Sequence, residues 1–206
     1  EDKKIKNFKS KFYKVKEYKH KLLYNEAKLF CDWYVPKKLS KSKIPKFNKK
    51  FKSEIKKLLS KLNYKNNTFV HRDFHVSNLM YYNRRIAIID NQDALVGNKA
   101  YDLASLIDDV RFRTSNQFKE KVFQFYLKTN NKIKINEFKN DFETLSILRN
   151  LKIIGIFTRL ALRDNKKIYL RLIPYAWQMI NYRMKKQKQF RNLMILLRNN
   201  FPKFIR

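Results

Sequence analysis

Apolar residues return along this chain mostly at helical intervals. Phe12, Val15, Leu22, Leu23, Leu29, Phe30 and Trp33 recur at steps of three, four and seven, which predicts a leading helix within residues 1–36 that Pro36 stops. Residues 37–46 read as a basic connector containing Pro45. A second helix follows, with Phe47, Phe51, Ile55, Leu58, Leu59 and Leu62 on one face. Asn63 to Asn67 then break the pattern.

From Thr68 the period changes. Thr68-Phe69-Val70, Leu79-Met80-Tyr81-Tyr82 and Ile86-Ala87-Ile88-Ile89 are short β-type runs, and Asn83-Arg84 supplies a tight turn between the last two. A small hairpin is expected there. Beyond Gly97 the helical period resumes over about 100–111, 116–129, 136–163, 168–184 and 188–200. No segment before residue 68 reads as a β-sheet, and neither a repeat nor a Gly/Ser linker divides the chain. The expected fold class is mainly α, α+β overall. One domain spans 1–206, with the β insert at 68–93 and a helical subdomain at 100–200.

Composition narrows the picture. With 44% apolar and 15% aromatic residues, 206 residues can bury a core, and disorder of the whole chain is excluded. One cysteine, Cys31, can form neither an internal disulfide nor a multi-cysteine zinc site, which points to a reducing, cytoplasmic compartment. The apolar runs, such as Ile153 to Phe157, are too short to span a bilayer, so no membrane partner is expected. Glu1-Asp2-Lys3-Lys4 has neither a signal-peptide core nor an initiator Met, so the chain reads as part of a longer one. Its two glycines, Gly97 and Gly155, exclude a glycine-rich phosphate loop within these residues.

A net charge of +32 attracts polyanions non-specifically. The charge runs from Lys3 to Arg206 without gathering in one tract. Lys, Asn, Ile, Phe and Tyr, all with A- and T-rich codons, are abundant together, so base composition accounts for it. No specific nucleic-acid partner is expected.

The chemistry concentrates in His71-Arg72-Asp73-Phe74-His75-Val76-Ser77-Asn78, between two of the β runs, and in Asp90 at the end of the third. The outline is His-x-Asp, four residues, Asn, then an Asp twelve residues later. Phosphoryl transfer to a hydroxyl needs a carboxylate that orients the nucleophile and accepts its proton, together with oxygen ligands for the Mg²⁺ on the nucleotide phosphates. One loop can present Asp73 and Asn78 to the same cleft, and the hairpin returns Asp90 beside them. Mg²⁺ is hard and prefers oxygen, so Asn and Asp suit it and His does not.

This pattern resembles the aminoglycoside phosphotransferase-like kinases, distant relatives of the protein kinases, whose His-Arg-Asp and Asn spacing it shares. Asp90-Asn91-Gln92-Asp93 stands where a protein kinase has Asp-Phe-Gly, which argues against a protein kinase. The run from Gly97 through Tyr101-Asp102-Leu103-Ala104 is similar to the family's Gly-x-x-x-Tyr-Asp-Leu-Ala segment. Three stretches extend the likeness to the branch that phosphorylates the anomeric hydroxyl of N-acetylmuramate and N-acetylglucosamine: His71 to Met80, Ile89 to Arg111, and Phe30 to Tyr34 with Tyr169 to Pro174.

The resemblance implies a protein-kinase-like C-terminal lobe that uses ATP and Mg²⁺ to phosphorylate a small-molecule sugar. Asp73 would be the catalytic base, and Asn78 and Asp90 the metal ligands. Asp102 would accept hydrogen bonds from the catalytic loop, and His71 would hold that loop from beneath. His75 and Asp93 fall near the expected acceptor side, without a motif that assigns them a contact. Asn91 departs from the family's usual aromatic, which bears on the packing behind Asp90. The nucleotide-gripping N-terminal lobe, with its strand lysine, is not legible in these residues, so weak or absent turnover is expected from them alone. Two other readings use the same residues: another acceptor, such as an aminoglycoside, choline or homoserine, or a basic binding module that keeps the fold without catalysis.

The remaining polar residues read as structural. Asp108-Asp109 fits a solvated or Arg111-paired helix end, His20 an exposed position, and Cys31 a buried thiol. Trp33 and Trp177 read as core residues, and Lys185 to Arg198 as an amphipathic stretch that closes it.

Overall fold

The structure is a computed structural model that describes residues 4–6, 12–185 and 187–205, with side chains from Lys14 onward. Its residues form two compact units, each drawn from two stretches of the chain. One comprises Glu1–Lys19 with Asn63–Asp141, the other His20–Leu62 with Phe142–Arg206.

The second unit is helical. Helix α1 (His20–Leu29) passes into a π-helical turn at Phe30–Tyr34 and a 3-10 turn at Val35–Lys37. Helix α2 spans Ile44–Leu59. The long helix α5 (Ile135–Arg163) contributes its residues from Phe142 onward, followed by α6 (Ile173–Met184) and α7 (Arg191–Asn200). The connector expected at 37–46 is shorter than its composition suggests, because Pro45 lies in the first turn of α2. There its missing N–H leaves nothing unsatisfied and its fixed φ suits the helix.

Aromatic rings fill this unit's centre. Phe30 stacks on Phe51 with centroids 5.8 Å apart and meets Trp177 edge-on at 5.6 Å, and Trp177 tilts against Phe201 at 5.5 Å. Trp177 Nε1 donates to the Tyr34 hydroxyl at 3.2 Å, so the indole enters the core with its polar atom satisfied. Burial pushes the Tyr34 phenol up to about 12 and raises the Cys31 thiol well above its ordinary range, which marks Cys31 as a core residue. Gly155, inside α5, permits a close helix crossing: a Cβ there would lie 2.3 Å from the Leu29 carbonyl carbon.

The first unit holds three two-stranded antiparallel pairs. Strand β1 (Lys4–Lys6) pairs with β2 (Phe12–Lys14), β3 (Thr68–Val70) with β6 (Leu95–Gly97), and β4 (Leu79–Tyr82) with β5 (Arg85–Ile88). Helices α3 (Tyr101–Ile107) and α4 (Asn116–Thr129) follow, with the start of α5. The first strand pair corrects two expectations: β structure does precede residue 68, and the leading helix begins only at His20. The physical reason is backbone competition. Val96 donates to the Lys16 carbonyl at 2.9 Å and accepts from the Tyr18 N–H at 2.8 Å, which holds residues 16–18 extended. Val15 and Tyr18 are both buried in that extended form. Their spacing of three is therefore compatible with a strand edge as well as a helix.

The hairpin expected at 79–89 is present. Asn83 and Arg84 have φ of 47° and 60°, the left-handed pair that a two-residue hairpin turn requires.

Candidate active site

Strand β3 ends at Val70 and delivers the chain into the loop that begins at His71. That loop is fixed by a carboxylate on its backbone. Asp102, in the first turn of α3, accepts from the His71 N–H at 2.7 Å and from the Arg72 N–H at 3.1 Å. Such bonds place both donors at once, because one planar acceptor serves two successive amides. Arg72 adopts φ 73°, a conformation unfavourable for a side chain of its size, and its guanidinium donates to the Asp93 carbonyl at 3.0 Å. Left-handed residues of this kind collect where a loop must aim neighbouring side chains.

The next residue is Asp73. It is half-buried, and no hydrogen bond or ion pair among the described residues engages its carboxylate. Its carbonyl, by contrast, takes the His75 N–H at 3.0 Å and the Asn78 side-chain amide at 2.9 Å. The amide nitrogen of Asn78 is thus committed to the loop. The Asn78 carbonyl accepts from the Ile89 N–H at 3.1 Å, one residue before Asp90. His71 closes the circuit, its Nε2–H donating to the Ile89 carbonyl at 2.9 Å. Asp73 and Asn78 therefore belong to one bonded frame that reaches Ile89, the residue before Asp90, with His71 and Asp102 bonded to it.

Asp90 itself sits at φ 67° and accepts from the Gln92 side chain at 2.7 Å. No cluster of three or more His, Cys, Asp or Glu side chains among the described residues could hold a metal. The Asn78 amide oxygen and the Asp90 carboxylate nevertheless make an all-oxygen pair, which fits Mg²⁺ carried on phosphates, an ion that takes only one or two carboxylates from protein.

The other candidates lie apart from this frame or within its support. His75 is buried, and Asp93 is exposed with its carbonyl held by Arg72. Asp108 and Asp109, expected as a solvated or Arg111-paired helix end, are both buried, and the Arg111 pairing is present at Asp109. Asp108 is fully buried and paired at 3.5 Å with Lys119, itself only 1% exposed, whose ammonium also donates to the Ile107 carbonyl. Asp109 is equally buried and accepts from the Arg111 N–H at 3.0 Å, with the Arg111 guanidinium 3.5 Å away.

One buried carboxylate escaped sequence reasoning altogether. Asp141 accepts from the Asn63 N–H, the Tyr64 N–H and the side chains of Asn63 and Asn98, at 2.7 to 3.1 Å. It anchors the entry to β3 and the exit from β6. The Asn-rich break at 63–67 was the signal for such a hub, since short polar side chains there needed a partner. Beside the loop lies a recess of about 240 Å³ lined by Val76, Leu106, Ile107, Phe112, Phe118 and Val122 among others. No helix among the described residues is long and apolar enough to cross a membrane.

Residues 17–136 match the family described as "Phosphotransferase enzyme family". That stretch contains the whole frame from His71 to Asp102. Among individual proteins, the chain is 32% identical over 186 residues to an N-acetylmuramate/N-acetylglucosamine kinase of Neisseria meningitidis serogroup B, covering 86% of this chain and 54% of the relative. A kinase of the same description from Caulobacter vibrioides is 32% identical over 114 residues, covering 53% of this chain and 31% of the relative. One from Pseudomonas aeruginosa is 27% identical over 186 residues, covering 87% and 55%. The chain spans about half the length of the curated relatives it matches.

Proposed function

Because the chain belongs to the phosphotransferase enzyme family, we propose that it supplies the catalytic lobe of an ATP-dependent kinase acting on the hydroxyl of an amino sugar, of the N-acetylmuramate or N-acetylglucosamine type. The observation that carries this is the unengaged Asp73 carboxylate, held in a loop whose backbone is gripped by Asp102 and whose Asn78 is tied to the strand leading to Asp90.

In this reading Asp73 orients the sugar hydroxyl and accepts its proton as the oxygen attacks the γ-phosphorus. Its half-buried position leaves the carboxylate accessible to a ligand while the loop keeps it from turning away. Asn78 and Asp90 would hold Mg²⁺, which would neutralise charge on the nucleotide phosphates. His71 and Asp102 touch neither substrate nor nucleotide and fix the loop. Val76, Phe112 and Phe118 around the neighbouring recess give an N-acetyl methyl group an apolar wall. Covering the phosphates is assigned to a β-rich lobe outside these residues. The hairpin supports that assignment, because Tyr81 and Ile86 are 76% and 67% exposed on a strand pair with apolar residues on both faces.

The test is phosphoryl transfer from γ-labelled ATP with Mg²⁺ to N-acetylmuramate, N-acetylglucosamine, choline and kanamycin, by the chain alone and by the chain joined behind the N-terminal half of the meningococcal relative. The joined protein is expected to label the two sugars and the chain alone to label them weakly or not at all. Label on choline or kanamycin instead moves the acceptor class. A folded protein that labels nothing defeats the catalytic reading.

A further inference from the structure

Asp109 is 1% exposed, and the proposed chemistry gives it no task. Its two oxygens are divided. Oδ1 takes the Arg111 N–H at 3.0 Å, with the Arg111 guanidinium at 3.5 Å, while Oδ2 takes the N–H of Val76 at 3.3 Å. Val76 opens the 3-10 turn Val76–Asn78, whose last residue is the proposed metal ligand. Asp102, near the other end of α3, takes the N–H groups of His71 and Arg72. The short helix and the turn that follows it therefore meet the loop with two carboxylates, one on the amides before Asp73 and one on an amide after it.

We infer that Asp109 is a positioning residue, the second jaw of a clasp by which α3 and the turn after it fix the loop on both sides of Asp73 and so set Asn78 against it. Asp102 fixes the loop's entry, and the end of the turn at 76–78 is held by the Asn78 side-chain amide on Asp73, the Asn78 N–H on His75 and the Ile89 N–H on the Asn78 carbonyl. None of these takes the Val76 N–H, so the first residue of the turn keeps its freedom. A charged acceptor on Val76 removes that freedom, and the Arg111 bonds keep its carboxylate from rotating away. The name "catalytic loop" rests on the proposed function; the clasp does not.

Amide hydrogen exchange on the 206-residue chain reads the clasp directly. Asp109→Ala is expected to speed exchange at Val76 by about tenfold or more, the scale of one hydrogen bond to a charged acceptor. Asp109→Asn, which keeps one acceptor oxygen, gives a smaller rise. Asp141→Asn is the control, because Asp141 is as buried and bonds residues 63, 64, 98 and 140 without touching the loop. At matched global stability it leaves Val76 at the wild-type rate. An unchanged Val76 in Asp109→Ala, an equal rise in Asp141→Asn, or an Asn variant as fast as the Ala variant overturns the inference. In the sugar-phosphorylation assay, Asp109→Ala lowers kcat about tenfold or more with KM retained, and Asp109→Asn recovers part of it. A fall in kcat that Asp141→Asn matches at equal stability also overturns it. Where the chain joined to the relative's N-terminal half folds and phosphorylates nothing, the proposed function fails, and the exchange rates still decide the clasp.

Discussion

The aromatic centre of the second unit and the loop frame of the first are built on opposite principles. Around Phe30, Phe51, Trp177 and Phe201 order comes from area: rings 5 to 6 Å apart exclude water, and few hydrogen bonds are needed. Around Asp73 order comes from a few directed bonds, with Asp102, Asn78 and His71 gripping backbone at 2.7 to 3.1 Å. Apolar side chains nearby, on the β4–β5 hairpin, remain exposed. The lesson is that stability and proposed chemistry are carried by different residues. Substitutions should therefore sort cleanly into those that unfold the chain and those that silence it.

The largest separation is expected at Asp73. Asp73→Ala should lower sugar phosphorylation about a thousandfold, the scale of a lost general base, while unfolding free energy stays within about 0.5 kcal/mol because the carboxylate holds nothing together. Steady-state kinetics with denaturant unfolding on the same sample checks both halves. A large loss of stability would mean that the carboxylate is structural. Gly155→Ala is the mirror image. Its methyl would meet the Leu29 carbonyl carbon at 2.3 Å and the Phe30 nitrogen at 2.6 Å, backbone atoms that cannot swing aside. A cost of about 3 kcal/mol is expected, despite Ala being the better helix former. A variant as stable as wild type would show that the helices part easily there.

Asp141→Ala tests the comparison from within the first unit. It strands the N–H groups of Asn63 and Tyr64 and the Asn98 amide, and should cost about 3 kcal/mol, slightly less if water enters. Thermal melts measure it. A cost below about 1 kcal/mol would mean that the hub is replaceable.

How much of this was legible follows the same divide. Period and turn chemistry located α2, α4, α5 and the β4–β5 hairpin, because apolar spacing and an Asn-led turn are local signals. The polar constellation from His71 to Asp90 was legible as an ordered string, and hydrogen bonds join His71, Asp73, Asn78 and Asp102 to one another or to the strand end at Ile89. Asp109 and Asp141 were not legible as buried. Their partners lie 33 and about 78 residues away, and nothing periodic announces such a pairing. Residues 16–18 failed for a related reason: the strand that holds them extended begins only at Leu95. Pro45 falls in the expected connector yet lies in the first turn of α2, since a proline alone does not say which side of it the helix lies on.

Tyr34 offers the finest test of the aromatic centre, because there one polar atom is set inside the area-driven packing. Its hydroxyl accepts from Trp177 Nε1, so Tyr34→Phe leaves a buried indole N–H without that partner and should cost about 1 kcal/mol near neutral pH. The pH dependence gives a second, independent sign. Burial raises the folded phenol from 10.0 to about 12, so the folded chain keeps a proton that the unfolded chain releases from pH 10 upward. The stability tied to that proton is complete below pH 10 and is lost as pH rises toward 12. Cys31, raised by burial as well, slopes the same way in both proteins and cancels in their difference. Urea unfolding at a series of pH values should therefore show wild type falling more steeply than Tyr34→Phe between pH 10 and 12, so that the gap between them narrows with alkali. Parallel curves would mean that the phenol ionises as freely in the folded chain as in the unfolded one, and that water reaches the centre of the ring cluster.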